Sequence, residues 1–206
     1  RVRAAEFEAG RLDVVEVPFS ETTQWRQRHP AWLREKPALR VTYVALNNRR
    51  GPLQDVRVRL AINHAVNVPQ ILATVWGGRG ILARGAIPPS LPGGDTARAA
   101  FAYDTARSRQ LLRAAGYSGG FSLQLWRTAD NLTVGRVAQA IQADLAQVGI
   151  TVEIIERDAS SQREAARAGN ADMAVLDWWA DYPDGDNFLY PLFHSASAGR
   201  GGHYAF

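Results

Sequence analysis

The stretch FSLQLWRTADNLTVGRVAQAIQADLAQVGITVEIIE, residues 121–156, decides the fold class of this chain. FSLQLW at its start alternates apolar and polar residues with the two-residue period of a strand, and ITVEIIE at its end predicts a second strand. Between them, six apolar residues recur with helical spacing: Val134, Val137, Ala138, Ile141, Leu145 and Val148. The stretch therefore predicts two parallel strands joined through a helix by a right-handed crossover.

Similar units lie on both sides of this stretch. A helix over residues 104–116, capped by Asp104, precedes it. A capping box, Ser161 with Glu164, opens another short helix after it, and the apolar strand DMAVLDW follows. Three helix-then-strand units in succession predict an α/β domain with a mixed, mostly parallel sheet flanked by helices.

The N-terminal half is less regular. An apolar run at residues 14–18 predicts a short buried strand, and the alternation of residues 40–47 predicts another. Asp55 is placed to cap a helix, and Pro69 lies in the first turn of the next one. Residues 77–94 are rich in glycine and proline and predict a loop.

Composition bounds what the chain can be. Its 206 residues are 46% apolar, enough for one domain with a hydrophobic core. No apolar run approaches the roughly 18 residues that span a membrane, and the first residues lack the apolar segment of a signal peptide. Cysteine is absent, so disulfides, thiolate nucleophiles and cysteine-ligated metals are excluded from this chain.

The charge pattern argues against nucleic acid as a partner. Lysine and arginine number 24 against 20 aspartate and glutamate, and Lys36 is the only lysine. The arginines are scattered singly through predicted helices and are not interleaved with aromatic residues for base stacking. No nucleic-acid binding is therefore expected.

Three short motifs carry no enzyme site in this context. GYSGG at residues 116–120 matches a nucleophile elbow, but a helix enters it and a strand leaves it, the reverse of the required order. GGRG at residues 77–80 lacks the lysine of a phosphate-binding loop. The histidines do not have the spacing of a zinc protease: His29, His64, His194 and His203.

The segment DWWADYPDGDNFLYPLF, residues 177–193, contains four aspartates. A calcium loop starting at Asp181 would need a bidentate glutamate where Leu192 stands, so no metal is expected. A pair of carboxylates for glycoside hydrolysis is conceivable, but adjacent loop aspartates say nothing of the required separation. Asp184 or Asp186 is predicted to cap the terminal helix DNFLYPLF.

Two roles remain open for the other aspartates, Asp177 and Asp181. The plain interpretation makes both solvated loop charges beside two core tryptophans. However, Asp181 follows the end of an apolar strand, where open α/β sheets bind ligands. A carboxylate walled by the rings of Trp178 and Trp179 would suit a cationic group.

Four stretches of the chain also carry a family likeness. They are GRLDVVEVP (10–18), NNRRGPLQDVRVRLAINHAVNVPQIL (47–72), YDTARSRQLLRAAGY (103–117) and WWADYPDGDNFLYPLF (178–193). In this order they resemble the extracytoplasmic solute-binding proteins of the oligopeptide/dipeptide family, family 5, which feed ABC importers.

The resemblance implies a fold of the type II periplasmic-binding-protein class. Residues 1–40 would be the tail of a first lobe and the approach to a hinge. Residues 41–206 would form most of the second lobe, incomplete at its C-terminal end. The implied protein is a periplasmic or extracytoplasmic monomer without cofactor, associated with the membrane subunits of an ABC importer.

The resemblance also implies a binding site. Asp181 would pair with the α-ammonium group of a peptide or a similar small amine-bearing solute, with Trp178, Trp179 and Tyr182 around it. Arg127 lies one residue from the position of an arginine that meets the ligand carboxylate. Alternatives stay open: a non-peptide ligand (nickel chelate, haem, glutathione, opine or sugar), a hydrolase using Asp181 with a second carboxylate, or a purely structural module.

Overall fold

The structure is a computed structural model that describes residues 2–18 and 21–197. Its helices are α1 (Val2–Glu8), α2 (Thr22–Arg28), α3 (Val56–Ala65), α4 (Val68–Val75), α5 (Thr105–Ala114), α6 (Leu132–Ala146), α7 (Ala159–Arg167) and α8 (Asp186–Phe193). Its strands are β1 (Arg40–Leu46), β2 (Phe121–Thr128), β3 (Ile150–Arg157) and β4 (Met173–Trp179). Short 3-10 turns occur at Gly51–Gln54 and Ser195–Ser197.

The four strands form one sheet in the order β1-β4-β2-β3. The β4–β2 and β2–β3 pairs are parallel, whereas β1 runs antiparallel to β4. Helices α6 and α7 are the crossovers that make β2, β3 and β4 parallel to one another. The predicted α/β class, with a mixed and mostly parallel sheet flanked by helices, is therefore confirmed.

Each face of the sheet buries a different set of side chains. The larger core lies between the sheet and helices α3, α5 and α6, and includes Leu125, Leu145 and Ile150 without any exposed surface. On the other face, α7 covers a smaller cluster around Ala174 and Leu176. There Gln162 is buried and donates to the backbone carbonyls of Trp126 at 3.2 Å and Val175 at 3.0 Å, which fastens α7 to β2 and β4.

Most predicted helix starts are confirmed. Asp55 accepts from the backbone N–H of Arg57 at 2.8 Å, and Asp104 accepts from that of Arg107 at 2.8 Å. Residues 77–94 form no helix or strand, as the glycine and proline content predicts. GYSGG connects α5 to β2, so it is a helix stop and a turn.

Two local predictions are wrong. Residues 14–18 form no strand, and Val14 is exposed because no neighbouring strand pairs with this run. The cap of α7 is Asp158 instead of Ser161: its carboxylate accepts the backbone N–H groups of Ser160 at 3.1 Å and Ser161 at 3.0 Å. Both serine hydroxyls also donate to Asp158, and these hydrogen bonds hold the pKa of that carboxyl well below its ordinary value.

Two features are absent from the described ranges. None of the helices in them is both long and apolar enough to traverse a bilayer. Within residues 2–18 and 21–197, no three His, Asp or Glu side chains group together in a way that could hold a metal ion. His203 lies outside the described residues.

Candidate functional site

The candidate site is built at the end of the β1–β4 ladder. Because side chains alternate along a strand, each pair of opposed residues shares one face. One face carries Leu46 with Met173, Val44 with Val175, Thr42 with Asp177 and Arg40 with Trp179. The other face carries Ala45 with Ala174, Tyr43 with Leu176 and Val41 with Trp178. The first face therefore passes from the larger core to polar and aromatic groups, and the second stays apolar.

Asp177 joins the two strands at the end of the first face. Its carboxylate accepts from Arg40 Nε at 3.1 Å and Arg40 Nη2 at 2.6 Å, and Thr42 Oγ1 donates to it as well. The prediction of a solvated loop charge is wrong for Asp177, because this residue lies inside β4 opposite a cationic partner. A bidentate pair of this kind fixes both the distance and the plane of the guanidinium.

Trp179, the last residue of β4, lies beyond this ion pair. Its side chain is 58% exposed. The guanidinium carbon of Arg40 lies 4.8 Å from the centre of the indole ring, in cation–π contact. One face of the ring is therefore covered by Arg40.

Trp178 points to the opposite side of the sheet. It packs in a separate apolar cluster with Val41, Leu91 and Phe188, and its Nε1 donates to Asn187 Oδ1 at 3.1 Å. The expectation that both rings form a common wall around one carboxylate is wrong, because adjacent residues of a strand face opposite ways. Both tryptophans are the last residues of β4.

Asp181 is exposed just after β4. Its backbone N–H donates to Asn187 Oδ1 at 3.1 Å, and the preceding Ala180 N–H donates to the carbonyl of Leu39 at 2.9 Å. The second bond extends the β1–β4 pairing past the strand end, the first ties the loop to α8, and together they fix the backbone that carries Asp181. Within the described residues, the Asp181 carboxylate itself makes no hydrogen bond or ion pair.

The other aspartates of the cluster are engaged. Asp184 Oδ1 accepts from the backbone N–H of Asp186 at 2.8 Å, at the start of α8, although Gly185 occupies the cap position itself. Asp186 Oδ2 accepts from the hydroxyl of Tyr182 at 3.2 Å. Of the two predicted caps, Asp184 is the one that bonds the helix start. Among the residues that the structure describes, Asp181 is thus the member of the cluster whose carboxylate has no partner.

Asn187 is a site residue that the sequence did not reveal. It is only 2% exposed, although it lies in the first turn of a helix with a largely exposed surface. Its one side-chain oxygen connects Trp178 to the backbone of Asp181. In the sequence, the available signal is an amide residue directly before the apolar residues Phe188 and Leu189. Such an amide is buried together with its apolar neighbours only if its side chain finds hydrogen-bond partners.

Arg127 lies away from the other predicted site residues. Trp126 pairs with Ala174 near the start of β4, whereas Asp181 follows its end. The Arg127 side chain is mostly buried, donates to Glu156, and donates through Nη1 to the carbonyl of Thr128 at 2.9 Å. Tyr182, Trp178 and Asp181 lie at the end of β4, whereas Arg127 lies near the end of the neighbouring β2 and is paired with Glu156.

Comparison with known proteins gives the family. Residues 1–200 match the model described as bacterial extracellular solute-binding proteins, family 5 middle. The dipeptide-binding protein of Escherichia coli is 32% identical over 99% of this chain and 39% of its own length. The glutathione-binding protein of the same organism is 31% identical over 94% of this chain and 39% of its length. Haem-binding protein A of Haemophilus influenzae is 30% identical over 96% of this chain and 37% of its length.

Solved structures share the fold. The periplasmic binding protein DppA of Helicobacter pylori, in complex with the peptide STSA, is similar with a TM-score of 0.86 and 29% identity over 97% of this chain and 39% of that one. The dipeptide-binding protein of Pseudoalteromonas in complex with Met-Leu gives 0.84 and 27%, over 98% of this chain and 41% of that one. The chain thus spans well under half the length of these relatives. The family model, the relatives and the shared fold agree: the chain belongs to the bacterial extracellular solute-binding proteins of family 5.

Proposed function

We propose that this chain forms one wall of the ligand cleft in the substrate-binding component of an ABC importer, which captures peptides or similar amine-bearing solutes. The observation that carries the proposal is the Asp181 carboxylate: exposed, without a partner among the described residues, and mounted on a backbone fixed by Asn187. Relatives that bind a dipeptide or hold a peptide in their structure support the choice of ligand.

The chemistry of an α-ammonium group fits this carboxylate. An N⁺–H···O⁻ hydrogen bond is about twice as strong as a neutral one. It strengthens further when a second lobe closes over the ligand, because water leaves and the effective dielectric constant falls. Every unmodified peptide carries this ammonium group, so the interaction selects for a free amine and accepts varied sequences.

The neighbouring aromatic residues take different parts in the proposed site. Trp179 offers an exposed ring on the side of β4 that also carries Asp177. Tyr182 lies in the same loop as Asp181, and its hydroxyl donates a hydrogen bond to Asp186. Trp178 supports the loop from the opposite side through Asn187. For Arg127 we infer a structural role, because its charge is paired with Glu156 beneath α6.

Membership of the family supports a proposal for the setting. We infer that the complete protein is an extracytoplasmic monomer that delivers its ligand to the membrane subunits of an importer and performs no catalysis. Closure of two lobes around the ligand would be stabilised by contacts with both halves. Residues 41–206 would then contribute the second lobe, and residues 1–40 the end of the first.

A second ligand class has specific support. Relatives of almost equal similarity are a glutathione-binding and a haem-binding protein. Glutathione keeps an α-ammonium group that could meet Asp181, whereas haem has none. Peptides are favoured here because the carboxylate would stay unpaired beside a ligand without an amine, at a cost in desolvation.

Titration calorimetry on the complete protein tests the proposal. The ligands are unmodified di- to pentapeptides, glutathione and haem, each recovered afterwards and examined by mass spectrometry. We expect binding of at least one peptide class, with the peptide recovered intact. Binding of haem without any peptide would overturn the ligand assignment, and recovery of cleaved peptide would support a hydrolase in place of a binding protein.

A further inference from the structure

Arg40, Asp177 and Trp179 form a connected group at the end of the β1–β4 ladder. Arg40 and Trp179 are opposed residues of the antiparallel ladder, while Thr42 is opposed to Asp177. The Arg40 side chain leans along the ladder to reach Asp177 with both Nε and Nη2, and in doing so passes over the indole ring. About three quarters of the Arg40 side chain is covered, while Trp179 is 58% exposed.

This arrangement fixes the orientation of an exposed ring. A tryptophan at the open end of a strand has several staggered rotamers available to it. The guanidinium of Arg40 occupies one face of the ring, and Asp177 and Thr42 hold that guanidinium in place. The planar guanidinium of Arg, unlike the ammonium of Lys, can stack on an aromatic face while it donates two hydrogen bonds to one carboxylate. The other face of Trp179 is consequently presented in a fixed direction.

The separation between Trp179 and Asp181 is about the distance between the amine of a peptide and the end of its first side chain. Ala180 continues the pairing with Leu39, so the chain stays extended between Trp179 and Asp181. Two residues of extended chain span about 6.6 Å. An apolar side chain reaches about that far from its own α-ammonium group, so a ligand whose amine meets Asp181 can lay its first side chain on Trp179.

We propose that Arg40 is a positioning residue that sets ligand preference: held by Asp177, it orients Trp179 as a stacking surface for an apolar or aromatic first side chain. This inference rests on the proposed function. A cationic first side chain is disfavoured, because the positive charge of Arg40 already lies on the opposite face of the same ring. The selected ligands are thus amine-bearing molecules with a neutral apolar group next to the amine.

Three dipeptides on the complete protein test this preference. Phe-Ala, Gly-Ala and Lys-Ala are titrated against the unchanged protein, Arg40→Ala, Arg40→Lys and Asp177→Asn, with Arg136→Ala as a matched control at an exposed position of α6. The main readout is the ratio of the dissociation constants for Gly-Ala and Phe-Ala; in addition, the dissociation constant of Lys-Ala should exceed that of Phe-Ala in the unchanged protein. We expect Arg40→Ala to lower this ratio about two- to fivefold, because Phe-Ala loses an oriented stacking surface and Gly-Ala has no side chain that could use one.

The remaining variants distinguish a positioning role of Arg40 from a general loss of ligand binding. Asp177→Asn releases the guanidinium and should lower the ratio, as Arg40→Ala does. The ratio for Arg40→Lys should lie between that of Arg40→Ala and that of the unchanged protein. Arg136→Ala should leave the ratio unchanged. An equal loss for both peptides, or an unchanged ratio in both Arg40→Ala and Asp177→Asn, overturns the inference although the protein still binds peptides. If the unchanged protein binds none of the three, the same series is made at the shortest peptide length that it does bind; failure to bind any unmodified di- to pentapeptide would overturn the proposed function itself.

Discussion

Oδ1 of the buried Asn187 accepts the backbone N–H of Asp181 at 3.1 Å. The same oxygen accepts Nε1 of Trp178 at 3.1 Å, so one side chain of α8 connects the loop after β4 to the strand end. The backbone that carries the Asp181 carboxylate is therefore already fixed before a ligand binds. Preorganisation of this kind lowers the conformational entropy that a ligand must offset on binding.

Replacing Asn187 should weaken both folding and binding. In Asn187→Ala, two donors lose their acceptor, which costs about 1–3 kcal/mol when the groups are buried. We expect a lower midpoint of thermal unfolding and a weaker affinity for peptides, measured on the complete protein by calorimetry. Asn63→Ala, at an exposed position of α3, is the control and should change stability by less than about 0.5 kcal/mol. Equal behaviour of the two variants would contradict the connecting role of Asn187.

Phe188 should be the anchor that holds α8 against the sheet. It is 0% exposed and packs with Val41 and Leu91, whereas Phe193 on the same helix is 58% exposed. We expect Phe188→Ala to lower the free energy of unfolding by about 3–5 kcal/mol, because it removes a large buried side chain and leaves a cavity. Phe193→Ala should have a much smaller effect. Chemical denaturation of both variants checks this, and a similar loss in each would disprove the proposed packing of α8.

Gly120 should tolerate no side chain at the turn into β2. Its φ is +77°, and a Cβ atom would lie 2.3 Å from the carbonyl oxygen of Gly149. The left-handed conformation alone costs an alanine about 1–2 kcal/mol, and the clash with backbone adds to it. The adjacent Gly119 has open space around it and provides the control. Thermal unfolding should show a clear loss for Gly120→Ala and almost none for Gly119→Ala; the reverse order would refute this description of the turn.

The cap of α7 should give a particular pH dependence. Hydrogen bonds from Ser160 and Ser161 depress the pKa of Asp158 below its ordinary value of 3.8. A group whose pKa is lower in the folded protein stabilises it above the unfolded pKa, and this stabilisation is lost as the pH falls through the folded pKa. The difference in melting temperature between the unchanged protein and Asp158→Ala should therefore be constant from pH 7 to about pH 4 and shrink only at lower pH. A difference that grows on acidification would contradict the cap assignment.

The fold could be predicted largely because its determinants are local. The helix and strand periods of residues 121–156 and the caps at Asp55 and Asp104 depend on neighbours in sequence, and the structure confirms them. The prediction of a strand at residues 14–18 is wrong because an apolar run forms a strand only where a neighbouring strand pairs with it. The cap at Asp158 was missed because Ser161 offers a second, overlapping cap signal three residues later.

The site was predictable only in part. Asp181 was singled out by its place after an apolar strand, and the structure leaves its carboxylate free among the described residues. The opposite directions of Trp178 and Trp179 follow from strand alternation, once β4 is known to continue to Trp179. The pairing of Arg40 with Asp177 depends on the register between strands that are far apart in sequence, which no local pattern specifies.

Pairing between the Asp181 carboxylate and the amine of a ligand is tested most directly by a double-mutant cycle on the complete protein. Calorimetry measures one apolar dipeptide and its N-acetylated form against the unchanged protein and Asp181→Asn. We expect acetylation to weaken binding to the unchanged protein by about 2–5 kcal/mol, and to change binding to Asp181→Asn by less than about 0.5 kcal/mol. The same loss on acetylation in both proteins would contradict the pairing, because the amine would then be recognised by some other group.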